Sequence, residues 1–247
     1  MNPETAYLLF THYGITEQDN ISELIEKVSE ICYLDFCRRV FFLNSVPVEK
    51  KKQLQKETDR LLADRIPVLL QSANDAVNGK EVFDKLHHEI CEGVRQIFKD
   101  TGNQTYGIAQ RWLNLTLLHL VVIESNLMSG KLPVKETRKY FHVPVDQHLL
   151  EVATSRSNKF LHGLHLKYAP LYHDREESYQ MGWYRPGATQ PYEHWEYPEY
   201  IEFQTAVQNK IAEVKASQKN YYQDALDWVF GASIERNRAR YYPRRKG

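Results

Sequence analysis

Two short stretches gather the side chains best able to do chemistry. The first, Tyr106-Gly107-Ile108-Ala109-Gln110-Arg111-Trp112-Leu113-Asn114, puts a glycine where a helix can open and an arginine, an indole and an amide in the turns that follow. A glycine at such a turn lets backbone N–H groups approach a phosphate, and the helix terminus adds partial positive charge. The second, His142-Val143-Pro144-Val145-Asp146-Gln147-His148-Leu149, puts a carboxylate at the mouth of a helix. Pro144 disfavours helix at Val143, and Asp146 is a good N-cap for a helix beginning at Gln147. Each residue also has a plainer reading: Asp146 as a cap alone, Arg111 as a half-buried ion-pair member, Asn114 as a satisfied helix amide. His162, His165 and His173, or His87-His88 with Cys91, lack a second ligand pair at structural-zinc spacing, so neither a metal nor another cofactor is expected.

The elements that position these residues read as helices. Apolar residues at three- and four-residue steps predict a long helix over 21–43, a second over 48–72 after Pro47, and a third over 81–98 beyond Asn78-Gly79. A polar connector, 99–105, leads into an apolar helix reaching about Met128, so that two helices meet through a tight glycine-containing hairpin. A short charged helix follows Pro133, then the helix opened by Asp146. The stretch 168–200, rich in Tyr, Trp, His, Pro and Gly without apolar period, is expected to be a long aromatic loop, with helices resuming at 198–216 and 221–230. The expectation is an all-α chain of eight to ten helices with little or no sheet.

Gly107-Ile108-Ala109-Gln110-Arg111 with Asn114, and Val145-Asp146-Gln147-His148-Leu149, resemble the hairpin and the Val-Asp-x-His segment of the helix-hairpin-helix DNA glycosylases. The wide gap between them is more like the archaeal 8-oxoguanine glycosylase branch. The resemblance covers about 100–156 and implies a single two-lobed domain over 1–247 with a central hairpin at about 95–128 and a catalytic aspartate segment at 141–156. It implies Asp146 as the catalytic carboxylate, Arg111 beside it, and DNA contacts from Gly107, Ala109, Gln110 and Asn114. Two departures carry consequences. Ala109 stands at the second hairpin glycine, which weakens the backbone approach to phosphate. Arg111 stands where bifunctional members carry lysine, and a guanidinium with a pKa above about 12 cannot form a Schiff base. The implied activity is therefore monofunctional: release of a damaged or modified base from double-stranded DNA, leaving an abasic site. A flipped base must be held between flat or apolar groups, and Trp112, His142, Trp183 and Tyr184 are the candidates, with Tyr192 and Trp195 of the same aromatic stretch able to wall the pocket. A roomy aromatic loop would take a bulky base, which suggests defence against phage with modified DNA.

Net charge offers no support for a polyanionic partner, because 32 Lys plus Arg balance 32 Asp plus Glu. The tail 236–247 differs: Arg236, Arg238, Arg240, Arg244, Arg245 and Lys246 occur there without an acidic residue, a pattern that suits phosphate or a frayed, solvated end. Cys32, Cys37 and Cys91 form no even framework and suit a reducing compartment. No signal peptide or membrane span is recognised, so a cytoplasmic location is expected. Two other function classes fit parts of the chain. Arg156-Ser157-Asn158-Lys159-Phe160-Leu161-His162 resembles the Arg…His motif of all-helical HEPN ribonucleases, and a non-catalytic nucleic-acid-binding helical adaptor would need the hairpin but no catalytic carboxylate.

Overall fold

The structure, a computed structural model, describes residues 3–16, 18–37, 46–101, 105–124, 132–155, 160–166, 195–217 and 222–241. Among these residues the protein is all-helical, with nine α-helices and no strand. The chain divides into two compact units, Met1–Pro144 and Val145–Gly247. No helix among the described residues is long and apolar enough to cross a membrane.

The first unit holds α1 (Pro3–Tyr13), α2 (Ile21–Cys37), α3 (Val48–Asp75), α4 (Gly79–Ile97), α5 (Tyr106–Ile123) and α6 (Val134–Thr137). Asn20 starts α2 by a reciprocal cap: its Oδ1 accepts the Glu23 N–H at 3.0 Å while Glu23 Oε2 accepts the Asn20 N–H at 2.9 Å. Leu24, Ile25, Val28 and Cys32 then bury one stripe. The expected continuation of this helix over 38–43 lies outside the described residues.

α3 runs to Asp75, three residues past the expected end at Ser72, and passes through Pro67. A helix-interior proline forfeits the bond to the carbonyl four residues back, here Ala63, and costs about 3 kcal/mol. The buried stripe Ile66, Leu69, Leu70 and Ala73 offsets that cost, since each large aliphatic side chain contributes about 1.5–3 kcal/mol on burial. The turn into α4 is closed by Gly79. A Cβ there would stand 2.3 Å from the Ala73 carbonyl oxygen and 2.7 Å from the Tyr140 hydroxyl, so only glycine fits.

α4 buries Phe83, His87, Ile90, Cys91 and Val94 at helical spacing. A 3-10 turn, Lys99–Thr101, leaves it, and Thr105 is the N-cap residue of α5. Every residue of α5 from Tyr106 to Leu117 is buried, which makes it the central helix of this unit rather than an amphipathic surface one. After α6 and a 3-10 turn at Arg138–Tyr140, Phe141 is extended and the chain from Phe141 to Pro144 is buried outside any helix.

The second unit holds α7 (Gln147–Thr154), α8 (Tyr197–Ala216) and α9 (Ala225–Tyr241). α8 begins where Glu199 Oε2 accepts the Glu196 N–H at 3.1 Å, with Pro198 in its first turn. Thus 197–200 are helical rather than part of the expected loop, and 167–194 lie outside the described residues. Leu150, Val152 and Ala153 of α7, Tyr200, Phe203 and Val207 of α8, and Leu226, Trp228 and Val229 of α9 are all buried. α9 extends well past the expected end at Phe230. The helix continues through Gly231, a position that lies flush against His162: a Cβ there would meet its Nε2 at 2.3 Å.

Candidate functional site

The opening of α5 is bound into a chain of side-chain hydrogen bonds. Gln110 Nε2 donates to the Gly107 carbonyl at 2.8 Å, and Asn114 Nδ2 donates to Gln110 Oε1 at 3.0 Å and to the Val143 carbonyl at 3.4 Å. With its amide nitrogen donating, Asn114 must accept through Oδ1, so the partner at 2.8 Å, His87, carries its proton on Nε2. His142 Nε2 lies 2.9 Å from Asp84 Oδ1, and Lys80 pairs with the same carboxylate. The two imidazoles sit with ring centroids 4.5 Å apart.

Burial sets the ionisation of this cluster. It holds His87 well below the ordinary histidine value, reinforced by His142 and opposed by the bond to Asn114, and it lowers His142 against the pull of Asp84. Burial alone would raise Asp84, but the hydrogen bond from His142 and the Lys80 ammonium bring its carboxyl below the usual range. The result is a carboxylate facing neutral His142. Cys91, with Sγ 3.8 Å from His87 Nδ1, has its thiol pushed up by burial and is not an activated nucleophile.

Asp146 stands in a different setting. It is the N-cap of α7 in extended conformation, φ −145° and ψ 169°, and its Oδ1 accepts the Leu149 N–H at 2.7 Å. The side chain is only partly buried, and Gln147 beside it is exposed. The bond to Leu149 fixes the carboxylate at the mouth of α7.

Arg111 and Asp146 belong to different units. Arg111 is 3% exposed and Gly107, Ala109, Gln110 and Asn114 are buried with it. The described base-pocket candidates, Trp112, His142 and Trp195, are core residues. Trp112 donates Nε1–H to Ser29 Oγ at 2.8 Å and stacks on Tyr33 with centroids 4.9 Å apart, and His142 is 2% exposed. Trp183, Tyr184 and Tyr192 lie outside the described residues. Of the basic tail, Arg236 is in α9 and pairs with Glu151 at 2.9 Å, Arg238 and Arg240 occupy its last turns, and 242–247 lie outside the described residues.

Two clusters were not foreseen from the sequence. In the first unit, Ser29 Oγ donates to Asp59, a carboxyl at the floor of a groove between α2 and α3. In the second, Glu235 accepts the N–H groups of Leu161 at 2.7 Å and His162 at 3.0 Å, and lies 3.1 Å from His162 Nδ1. The partners are separated by 30 and 73 positions, so no local spacing signals them. Among the described residues no group of three or more His, Cys, Asp or Glu could hold a metal ion. Compared with family models, with curated proteins and with solved structures, the chain matches none.

Proposed function

We propose that this chain is a monofunctional DNA glycosylase that hydrolyses the bond between deoxyribose and a modified base and leaves an abasic site. The observation that supports it most is Asp146: a carboxylate fixed by one backbone N–H at 2.7 Å, partly open to solvent, at a helix mouth. Departure of a base leaves an oxocarbenium-like sugar, and a fixed anion beside it stabilises that charge and orients or deprotonates the attacking water. In this reading position 111, an arginine, forms no imine, so base release leaves the strand intact; Arg111 itself is 3% exposed and takes no part in holding the nucleotide. Gln110 and Asn114, whose amides are engaged with Gly107, with each other and with His87, brace α5 from within. Trp112 takes no part in holding the base, because its indole is packed in the core. The substrate class, a bulky hypermodified base of phage DNA, rests on the aromatic stretch 168–200.

The test is mass spectrometry of bases freed from duplexes that carry different modifications. A released base, with strands intact until alkali or an abasic endonuclease is added, supports the proposal. Direct nicking with a borohydride-trapped adduct would place the nucleophile on another amine, and no release from any duplex would remove the glycosylase reading.

One observation favours a second reading, an RNA-cleaving role for His162. Glu235 orients the His162 imidazole from its Nδ1 side, an arrangement that a general base uses. Cleavage of RNA that is lost in His162→Ala, with no base release from DNA, would move the assignment there.

A further inference from the structure

Between α2 and α3 lies a groove of about 640 Å³, within the range of about 300–1,000 Å³ that small-molecule sites occupy. Asp59, 7% exposed, forms its floor. The carboxyl accepts from Ser29 Oγ at 2.5 Å and from the Gln55 side chain, both neutral donors, and among the described residues it pairs with no cation. Buried carboxylates normally face a positive charge. Here burial, seconded by Glu30 and Glu26, outweighs the two hydrogen bonds and pushes the carboxyl up to about 7, a cost that a cation seated on the groove floor would lower.

The walls above that floor carry opposite charge. α2 presents Glu26 and Glu30, and α3 presents Lys52, Lys56 and Arg60 at four-residue steps along one face. Glu23 and Lys27 also border the groove but are engaged, Glu23 in the cap with Asn20 and Lys27 with Asp19 at 2.7 Å. Among the described residues no ion pair holds any of the other five side chains, so two rows of unspent charge line one gap. Glu26 and Glu30 repel the phosphates of a nucleic-acid strand, and Lys52, Lys56 and Arg60 repel a polycation in the same way. A molecule with an ammonium at one end and a carboxylate at the other satisfies both walls. Packed helices lie about 8–10 Å apart, and an extended peptide of two or three residues covers about 7–11 Å between its ends.

We propose that this groove binds a short zwitterionic peptide with free termini, its ammonium set on Asp59 beneath Glu26 and Glu30 and its carboxylate on Lys52, Lys56 and Arg60. Charge-assisted hydrogen bonds at both ends supply the selectivity, and a ligand that lacks either charge leaves one wall unanswered. The site lies in the first unit, whereas Asp146 belongs to the second, and it does not depend on the glycosylase reading.

The experiment is calorimetric titration of the full chain at pH 8 with trialanine, its N-acetyl form, its C-terminal amide and free alanine. Trialanine should bind saturably with Kd below about 1 mM. Each blocked form lacks one charge and alanine is too short to reach both walls, so all three should bind about 10- to 100-fold more weakly. Asp59→Asn should abolish the penalty for N-acetylation. Lys52→Gln, Lys56→Gln and Arg60→Gln together should abolish the penalty for the amide, and this triple variant decides the matter if Asp59→Asn does not fold, because its three side chains are exposed and hold no ion pair among the described residues. No saturable binding of trialanine, alanine or a blocked form that binds as tightly as trialanine, an N-acetyl penalty that survives Asp59→Asn, or an amide penalty that survives the triple variant overturns the proposal.

Discussion

The mouths of α5 and α7 carry the two halves of one chemical hypothesis, and the molecule treats them in opposite ways. At α5 every residue from Tyr106 to Leu117 is buried, and the polar groups of Gln110 and Asn114 are spent on each other, on Gly107 and on His87. At α7 the aspartate is fixed by one backbone N–H yet remains partly open, with Gln147 exposed next to it. Buried polar residues must be hydrogen-bonded and functional ones must be reachable, and both demands select the same residue types. What separates them here is access to solvent: the α5 residues are buried, whereas Asp146 is only partly so.

The sharpest way to break this contrast is Asp146→Asn. Asparagine is also a good N-cap, so stability should stay within about 1 kcal/mol while base release falls by about 10²–10³-fold, the loss typical of one preorganised electrostatic group. Denaturant unfolding and release kinetics read the two separately. Full activity in the variant would leave Asp146 a cap and make both helix mouths structural.

The reciprocal experiment is Asn114→Leu. It strands a donor on His87 and an acceptor on Gln110 inside the core, and each abandoned buried group costs about 1–3 kcal/mol. Unfolding of the first unit should therefore ease by about 2–5 kcal/mol, more than any substitution at Asp146 produces. A loss below about 1 kcal/mol would show that the α5 network carries little of the stability.

How much of this was legible depends on whether the signal was local. The cap at Asp146, the break at Asn78-Gly79 and the start of α3 after Pro47 all follow from chemistry within three or four residues, and the helices α2 to α5 follow from apolar spacing. The environment of Trp112 does not: its stacking partner Tyr33 and its acceptor Ser29 lie far back in the chain, so an indole near a hairpin reads as a base-stacking group when it is a core residue. Pro67 lies inside the helix that apolar spacing predicts, and the burial that offsets its cost comes from packing. Arg236 was read as an unattached tail charge because Glu151, 85 positions away, gives no pattern in sequence.

Acid should expose the same asymmetry between the units. His87 and His142 have folded values below the unfolded 6.5, so the unfolded chain binds more protons, and the stability they carry is present above pH 6.5 and lost below it. Each can remove up to about 1.4 kcal/mol per pH unit over the interval between its two values. Asp59 acts with the opposite sign between about 4 and 7. Urea midpoints should thus fall from pH 7.5 to 5.5 and fall more steeply in Asp59→Asn. A midpoint unchanged by acid in Asp59→Asn, where the opposing carboxyl is gone, would mean that the histidine pair is not held neutral.

The smallest effect expected is at Arg236, where the question is whether the basic end forms one phosphate-seeking arm or two distinct parts. Its guanidinium pairs with Glu151 at 2.9 Å, and both side chains are partly exposed, at 28% and 37%. An ion pair of that kind contributes about 0.2–1 kcal/mol. Arg236→Ala should therefore shift stability by no more than that and leave the salt dependence of DNA binding unchanged. Removing 242–247, with Arg244, Arg245 and Lys246, should instead flatten the salt dependence by up to about one unit of slope for each cation that meets a phosphate. The two variants discriminate because counterion release counts only charges that reach the DNA, and a charge held by Glu151 is already neutralised. Equal flattening in both would mean that Arg236 abandons Glu151 on binding, and the C-terminal end of α9 would then belong to the same DNA-contacting surface as the residues beyond it.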